Sequence, residues 1–212
     1  MTDTPKIDEK RRRNGRIQLI LLALLFATPV LLGTWMYFFS PPAGRTNYGT
    51  LIEPQVTLPA LKGQLLDGKP MAARPWLGKW WMVSFQRGVC DDACAKQLYI
   101  MRQLRLTQGK DADEIERVMF VQDDLTPENK VLLAYEGNVF VRDTNGDFAK
   151  IFAAAGGGSK DLAGHLFLVD PLGNLMMRYP QNPQVEKIKK DLGKLVRLSA
   201  GWVRSANSKD KP

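Results

Sequence analysis

Hydrophobic residues are arranged in two different ways along this 212-residue chain. Near the N-terminus they form one long run, from Ile17 to Phe39, that contains no charged side chain. At a rise of about 1.5 Å per residue, a helix of this length crosses a hydrocarbon core of about 30 Å. Aromatic residues crowd the far end of the run, which is typical of a membrane interface. The pattern therefore predicts one transmembrane helix over residues 17–39.

The basic residues close to this predicted helix lie almost entirely on its N-terminal side. Five lysine and arginine residues fall between positions 10 and 16, whereas only Arg45 closely follows the helix. Because positive charge is retained on the cytoplasmic side, we expect a cytoplasmic arm at 1–16 and an exported remainder. A cleaved signal peptide is the alternative, but the apolar run is longer than the roughly 7–15 residues of a signal-peptide core. In a bacterium, the expectation is a single-pass inner-membrane protein with a periplasmic domain.

After a linker expected at 40–60, hydrophobic residues recur in short runs that predict alternating strands and helices. A turn at 65–69 predicts a hairpin. The expected strands cover 79–85, 118–121, 165–170 and 175–179, and the expected helices cover 91–107, 147–155, 183–198 and a segment that begins at Thr126. This order is that of a thioredoxin-like α/β domain with a central mixed sheet. We expect that domain at 61–199 and a flexible tail at 200–212.

The chain contains two cysteines, four residues apart, at Cys90 and Cys94. They follow a predicted buried strand and begin a predicted amphipathic helix, where unpaired N–H groups and the helix dipole stabilise thiolates. Residues i and i+4 share one face of a helix, so both sulfurs can reach the same metal ion or each other. An exported compartment is oxidising, so the pair forms a disulfide there unless a metal or a reductant holds it.

The net charge of +8 suggests nucleic acid as a partner at first sight. Part of the excess lies in the N-terminal arm, where membrane topology and anionic lipid explain it. The remaining basic residues are interleaved with acidic ones, and no basic stripe studded with aromatic residues is present. We therefore expect no nucleic-acid partner.

These features resemble the Sco/SenC family of membrane-anchored copper chaperones. The similarity covers roughly residues 60–198 and includes the hairpin at 65–69, the C-x-x-x-C motif at a helix start and the strand and turn at 167–173. In that family two cysteines and one histidine bind copper. The client is the binuclear copper centre of cytochrome c oxidase subunit II.

The resemblance implies that Cys90, Cys94 and His165, the single histidine of the chain, bind Cu(I). The family usually has proline after each cysteine, where Asp91 and Ala95 stand here, and His165 lies about three residues beyond the family histidine. The glycine-rich segment at 156–160 is interpreted as a mobile loop that lets the imidazole approach or leave the thiols.

Three functions are compatible with the cysteine pair. We favour a cytochrome c oxidase assembly factor that binds Cu(I) and delivers it to an oxidase copper centre, which makes it a metallochaperone rather than an enzyme. The first alternative is a thiol–disulfide oxidoreductase that keeps the cysteines of oxidase subunit II reduced, with Cys90 attacking and Cys94 resolving. The second is a non-catalytic assembly scaffold, stapled by a disulfide. The expected partners are oxidase subunit II or other oxidase assembly factors.

Overall fold

The structure is a computed structural model that describes residues 9–39, 47–74, 76–143, 145–156 and 162–199. The chain divides after Thr46 into two compact units. Several expectations fall outside the described residues: the first eight residues of the basic arm, the start of the linker at 40–46, the loop at 157–160 and the tail at 200–212.

The N-terminal unit contains one long helix, α1 (Glu9–Phe39). Its segment from Arg12 to Phe39 is long and apolar enough to span a membrane. The hydroxyl groups of Thr28 and Thr34 donate to carbonyl oxygens one turn earlier, so neither is left unpaired in an apolar environment. The predicted span at 17–39 is thus part of a longer helix, whose first two turns come from the basic segment.

The second unit is built on one eight-stranded sheet, as expected for a mixed α/β fold. Its strands are β1 (Thr50–Thr57), β2 (Leu61–Gln64), β3 (Pro70–Arg74), β4 (Trp80–Gln86), β5 (Ile115–Val121), β6 (Asn138–Arg142), β7 (Leu166–Val169) and β8 (Asn174–Tyr179). They are ordered β1-β8-β7-β4-β5-β6-β2-β3 across the sheet. The central strands β4, β5 and β6 are parallel, and all other neighbours are antiparallel.

Helices cover both faces of this sheet. They are α2 (Asp92–Leu106), α3 (Asn129–Ala134), α4 (Asp147–Ala155) and α5 (Val185–Leu198), together with a 3₁₀ helix at Gly109–Glu114. Successive residues of a strand point to opposite faces, so β4 contributes to two cores. Phe85 joins an aromatic core with Phe148 and Phe152 of α4. Trp80 and Met82 belong to a second core beneath α2 and α5.

The predicted linker at 40–60 is wrong in its second half, because residues 50–57 form β1. This strand pairs antiparallel with β8 at the edge of the sheet. Most of its side chains are exposed, so its sequence lacks the continuous hydrophobic run of an interior strand. The preceding backbone is also ordered, since the N–H groups of Tyr48 and Gly49 donate to Asp191 Oδ2 at 2.8 and 3.0 Å. The domain therefore begins before residue 61.

Two further differences concern the middle of the domain. The helix expected to begin at Thr126 begins at Asn129, with Glu128 as its N-cap. The Thr126 hydroxyl instead accepts a hydrogen bond from the guanidinium of Arg142. Strand β6 was not predicted, because Val141 is its one fully buried residue and its pattern carries little hydrophobic signal.

Candidate functional site

The cysteine pair lies where the central strand β4 is followed by α2. All seven residues of β4 are buried, and the chain then turns through residues 87–91 into the helix. Asp91 is the N-cap of α2, and its Oδ1 accepts a hydrogen bond from the Cys94 N–H at 2.9 Å. Cys94 therefore lies in the first helical turn, as predicted, whereas Cys90 precedes the N-cap and lies outside the helix.

Cys90 and Cys94 form a disulfide, and their Cα atoms are 5.1 Å apart. The two sulfur-bearing side chains differ in exposure: Cys94 is 1% exposed, whereas Cys90 is half-buried. Both pack into a small cluster with Leu98 of α2, Met119 of β5 and partly buried residues that include Tyr135. An incoming thiol or metal donor can therefore reach Cys90 first.

A carboxylate that was not predicted as a site residue holds the loop before Cys90. Asp123, which follows β5, accepts a hydrogen bond from the Gly88 N–H at 2.7 Å through Oδ1. Its Oδ2 lies 3.4 Å from Nε of Arg87. Gly88 is required here because a Cβ atom would lie 2.0 Å from the Leu125 carbonyl oxygen. The loops that follow β4 and β5 are thus packed directly against each other.

The predicted third ligand, His165, is half-buried immediately before β7. Its Nδ1 lies 2.8 Å from the Tyr179 carbonyl oxygen. A carbonyl oxygen accepts only, so Nδ1 carries a proton, and in the neutral imidazole Nε2 has the lone pair that could bind a metal. The His165 carbonyl accepts a hydrogen bond from Gln97 of α2.

Two of the three predicted ligands are brought together by the fold, as Cys90 and Cys94. Among the residues that the structure describes, no group of three or more His, Cys, Asp or Glu side chains could hold a metal ion. His165 as a third ligand therefore stays a prediction. Gln97, which ties His165 to α2, was not singled out from the sequence, because a polar residue in a helix gives no sign of a tertiary hydrogen bond.

A cleft of about 350 Å³ opens beside the start of α2. It lies between the helix, the residues that lead into β7, and the segment at 181–183 that precedes α5. Neither cysteine lines it. The disulfide and the cleft are consequently two separate features of the same helix end.

Two family descriptions match the chain. One, a transmembrane-like N-terminal domain, matches residues 8–40, and the other, a transmembrane-like, thioredoxin-like C-terminal domain, matches residues 80–199. The N-terminal match and α1 support a single-pass membrane protein. A comparison with curated proteins finds no match.

Several solved structures share the fold. Apo Sco1 from Thermus thermophilus is 16% identical, with 72% of this chain and 99% of that chain covered and a TM-score of 0.55. Copper-bound ScoI from Arabidopsis thaliana is 16% identical, with 68% and 99% covered and a TM-score of 0.52. A thiol:disulfide interchange protein from Chlorobium tepidum is 19% identical, with 68% and 95% covered and a TM-score of 0.51.

These similarities confirm the predicted thioredoxin-like fold and its likeness to Sco/SenC proteins. At such low identities the solved structures establish the fold alone. The C-terminal family description covers more than half of the 212 residues and includes both cysteines. The chain therefore belongs to the family of transmembrane-like proteins with a thioredoxin-like C-terminal domain.

Proposed function

We propose that this protein is a membrane-anchored, Sco-type assembly factor of cytochrome c oxidase. In its reduced form Cys90 and Cys94 bind Cu(I), which is then delivered to an oxidase copper centre. The observation that carries this proposal is the cysteine pair at the start of α2, with one sulfur half-buried and the other enclosed. The copper-bound Arabidopsis ScoI, which has the same fold, supports it.

The donor set suits copper as a cargo. Thiolates are soft ligands and select Cu(I) over the harder divalent ions. The disulfide must first be reduced by two electrons, because only thiolates bind the metal. The enclosed Cys94 would retain the ion, while the half-buried Cys90 gives a client thiolate access to it. His165 Nε2 is the proposed third ligand.

The anchor determines where this chemistry takes place. With the basic residues of the first two turns of α1 in the cytoplasm, the domain would lie in the periplasm of a bacterium. That compartment is oxidising, so the pair would close to the disulfide once copper has left it. A dithiol reductant in the periplasm would have to supply the two electrons that return the pair to the copper-binding dithiolate by thiol–disulfide exchange. Oxidase subunit II is the proposed client.

Anaerobic titration of the full-length chain in detergent micelles with Cu(I) tests this function. The reduced protein should bind one equivalent, and Cys90→Ser or Cys94→Ser should abolish binding. His165→Ala should weaken it by at least about tenfold, because even the loss of a residue that only supports a metal ligand costs about 10–100-fold. The oxidised chain is the matched control, because it has the same composition and no free thiolate. A reduced chain that binds no Cu(I) contradicts the proposal.

Thiol–disulfide exchange is the second candidate, and the closed Cys90–Cys94 bond favours it. In this function the reduced Cys90 thiolate attacks a client disulfide, forms a mixed disulfide and releases one client thiolate. Cys94 then attacks the Cys90 sulfur, which closes the pair and releases the second client thiolate. The fold of the Chlorobium interchange protein is compatible with this role.

Trapping in cells separates the two candidates. Cys94→Ser should accumulate a mixed disulfide through Cys90, whereas the matched Cys90→Ser variant should not, because Cys94 is enclosed. Equal trapping by the two variants would contradict the assigned roles. If neither variant traps a client but the reduced chain binds Cu(I), thiol–disulfide exchange is excluded and copper delivery remains the proposed function.

A further inference from the structure

The cleft beside α2 lies on a different helix face from the disulfide. Ala93, Lys96 and Gln97 line the cleft, whereas Cys94 and Leu98 pack into the cluster beneath α3. An α-helix turns by about 100° per residue, so these two sets of side chains occupy different, adjoining sectors of the helix surface. A ligand in the cleft would therefore not cover the half-buried Cys90.

The cleft nevertheless reaches the residues on both sides of Cys90. Val89 and Asp91 are part of its lining, and Val89 is 65% exposed. A ligand in the cleft is therefore one residue away from the half-buried cysteine. An extended chain that fills the cleft could continue past Val89 and bring its own cysteine to that sulfur, which a small metabolite could not do.

Two buried glutamines fix the shape of the cleft. Gln86 and Gln97 are each 8% exposed, and Gln86 Nε2 donates to Gln97 Oε1 at 2.7 Å. Gln97 Nε2 donates in turn to the His165 carbonyl oxygen at 2.8 Å. This chain of hydrogen bonds connects β4, α2 and the start of β7, so the cleft is formed before a ligand arrives. Ile100 and Leu166 add an apolar part to the lining.

Positive charge prevails along the lining. It includes Arg87 and Lys96, against the single carboxylate of Asp91. The Arg87 side chain is 80% exposed and its Nε is 3.4 Å from Asp123, which is a weak, solvated contact. In the part of the chain that the structure describes, Lys96 forms no ion pair. Both cations are thus available to a ligand carboxylate.

We propose that this cleft binds an extended, acidic and apolar segment of the client polypeptide. An apolar side chain of that segment would occupy the part lined by Ile100 and Leu166, and a neighbouring carboxylate would pair with Arg87 and Lys96. The inference rests on the proposed function, because it assumes that the pair acts on a protein. It assigns partner recognition and sulfur chemistry to separate side chains.

Fluorescence anisotropy with the full-length chain in detergent micelles tests the inference. The probes are two labelled octapeptides without cysteine that share four leucines and differ in carrying two glutamates or two lysines. The acidic peptide should bind more tightly. Lys96→Glu should weaken its binding by about fivefold, the effect expected for a reversed exposed charge. Lys189→Glu, an equal charge change at an exposed position outside the lining, should change the affinity less than twofold.

A second variant tests the cavity itself. Ala93 is exposed in the first turn of α2, so Ala93→Trp can fill the cleft without disturbing the core, and it should abolish binding of the acidic peptide. The inference is overturned if neither peptide binds, if both bind equally well, or if the two lysine variants behave alike.

Peptide binding by a chain without cysteines distinguishes this inference from the proposed function. A chain that carries both Cys90→Ser and Cys94→Ser cannot bind copper or exchange thiols, yet it should bind the acidic peptide like the wild type. If it does while the wild type binds no copper and traps no client, the proposed function fails and the cleft still binds peptide. If the wild type binds copper but neither peptide, the cleft inference alone fails.

Discussion

Replacing Gly88 by alanine should dislodge the loop that positions Cys90. An ideal Cβ at this residue would lie 2.0 Å from the Leu125 carbonyl oxygen, 2.3 Å from its carbonyl carbon and 2.8 Å from Asp123 Oδ1. Ordinary Cβ contacts begin at 3.4 Å, so the facing loops must separate by more than an ångström. Two of the three atoms belong to the backbone, and no rotamer change can relieve those contacts.

The loss in the free energy of unfolding depends on whether the loop stays in place or moves. If it stays in place, over-packing costs about 1–3 kcal/mol. If it moves away, the 2.7 Å hydrogen bond from the Gly88 N–H to the Asp123 carboxylate is lost. A bond to a charged group contributes about 1.5–3 kcal/mol. We therefore expect a loss of about 2–3 kcal/mol, which leaves a domain of ordinary stability folded.

Urea unfolding of the full-length chain in micelles, followed by tryptophan fluorescence, measures this loss. Three of the five tryptophans are buried in the domain, at Trp76, Trp80 and Trp81. Gly193→Ala is the matched control, because its Cβ would meet only the flexible end of Gln108, at 3.3 Å. Gly193 lies within α5, so its replacement by alanine should stabilise the protein by up to about 1 kcal/mol.

The Gly88 variant should also change the chemistry of the pair. A displaced loop exposes Cys90 further, so dithiothreitol should reduce the disulfide faster than in wild type. Wild-type values for both the urea midpoint and the reduction rate would refute the packing of these two loops.

Three other substitutions give expected outcomes in the same unfolding assay. Tyr179→Phe removes a buried hydroxyl that has no hydrogen-bond partner among the described residues, and should raise the free energy of unfolding by about 1 kcal/mol. Burial, and secondarily the nearby charge of Asp191, raise the pKa of Tyr179, so the unfolded chain loses this proton near pH 10 while the folded chain keeps it. Wild-type stability should therefore fall as pH rises above about 10, and the advantage of the phenylalanine variant should grow there; a constant difference would contradict this. Asp191→Ala leaves two backbone N–H groups before β1 without their acceptor and should cost about 2–4 kcal/mol, with an unchanged urea midpoint as the contrary result. Asp91→Ala should cost about 1 kcal/mol through loss of the α2 N-cap, and Asp91→Asn, which keeps the accepting oxygen, should restore most of it.

Interior elements could be predicted from the sequence because their burial leaves a strong pattern. Strand β4 is buried along its whole length and gives a continuous hydrophobic run. Helix α5 presents Ile188, Leu192 and Val196 to the core at helical spacing, and was predicted within two residues. The cysteine motif was placed correctly for the same reason, since it lies between a buried strand and an amphipathic helix.

Features stabilised by single long-range contacts could not be predicted. Strand β1 is held by pairing with β8 and by Asp191, which lies 142 residues from Gly49 along the chain. The loop before Cys90 depends on Asp123, 35 residues from Gly88. Such contacts are specified by the folded geometry, and a polar residue carries no local signal of its distant partner.

The separation of the two faces of α2 explains how one helix end could serve both recognition and sulfur chemistry. Cys94 is enclosed with Leu98 and Met119, so the environment of the disulfide is set by the core of the domain. Lys96 and Ala93 face the cleft and do not belong to that cluster. Changes at the cleft should therefore alter which partner binds without changing the properties of the sulfurs. A family of such proteins could change clients through these exposed positions while keeping the strand, the cap and the cysteine pair intact.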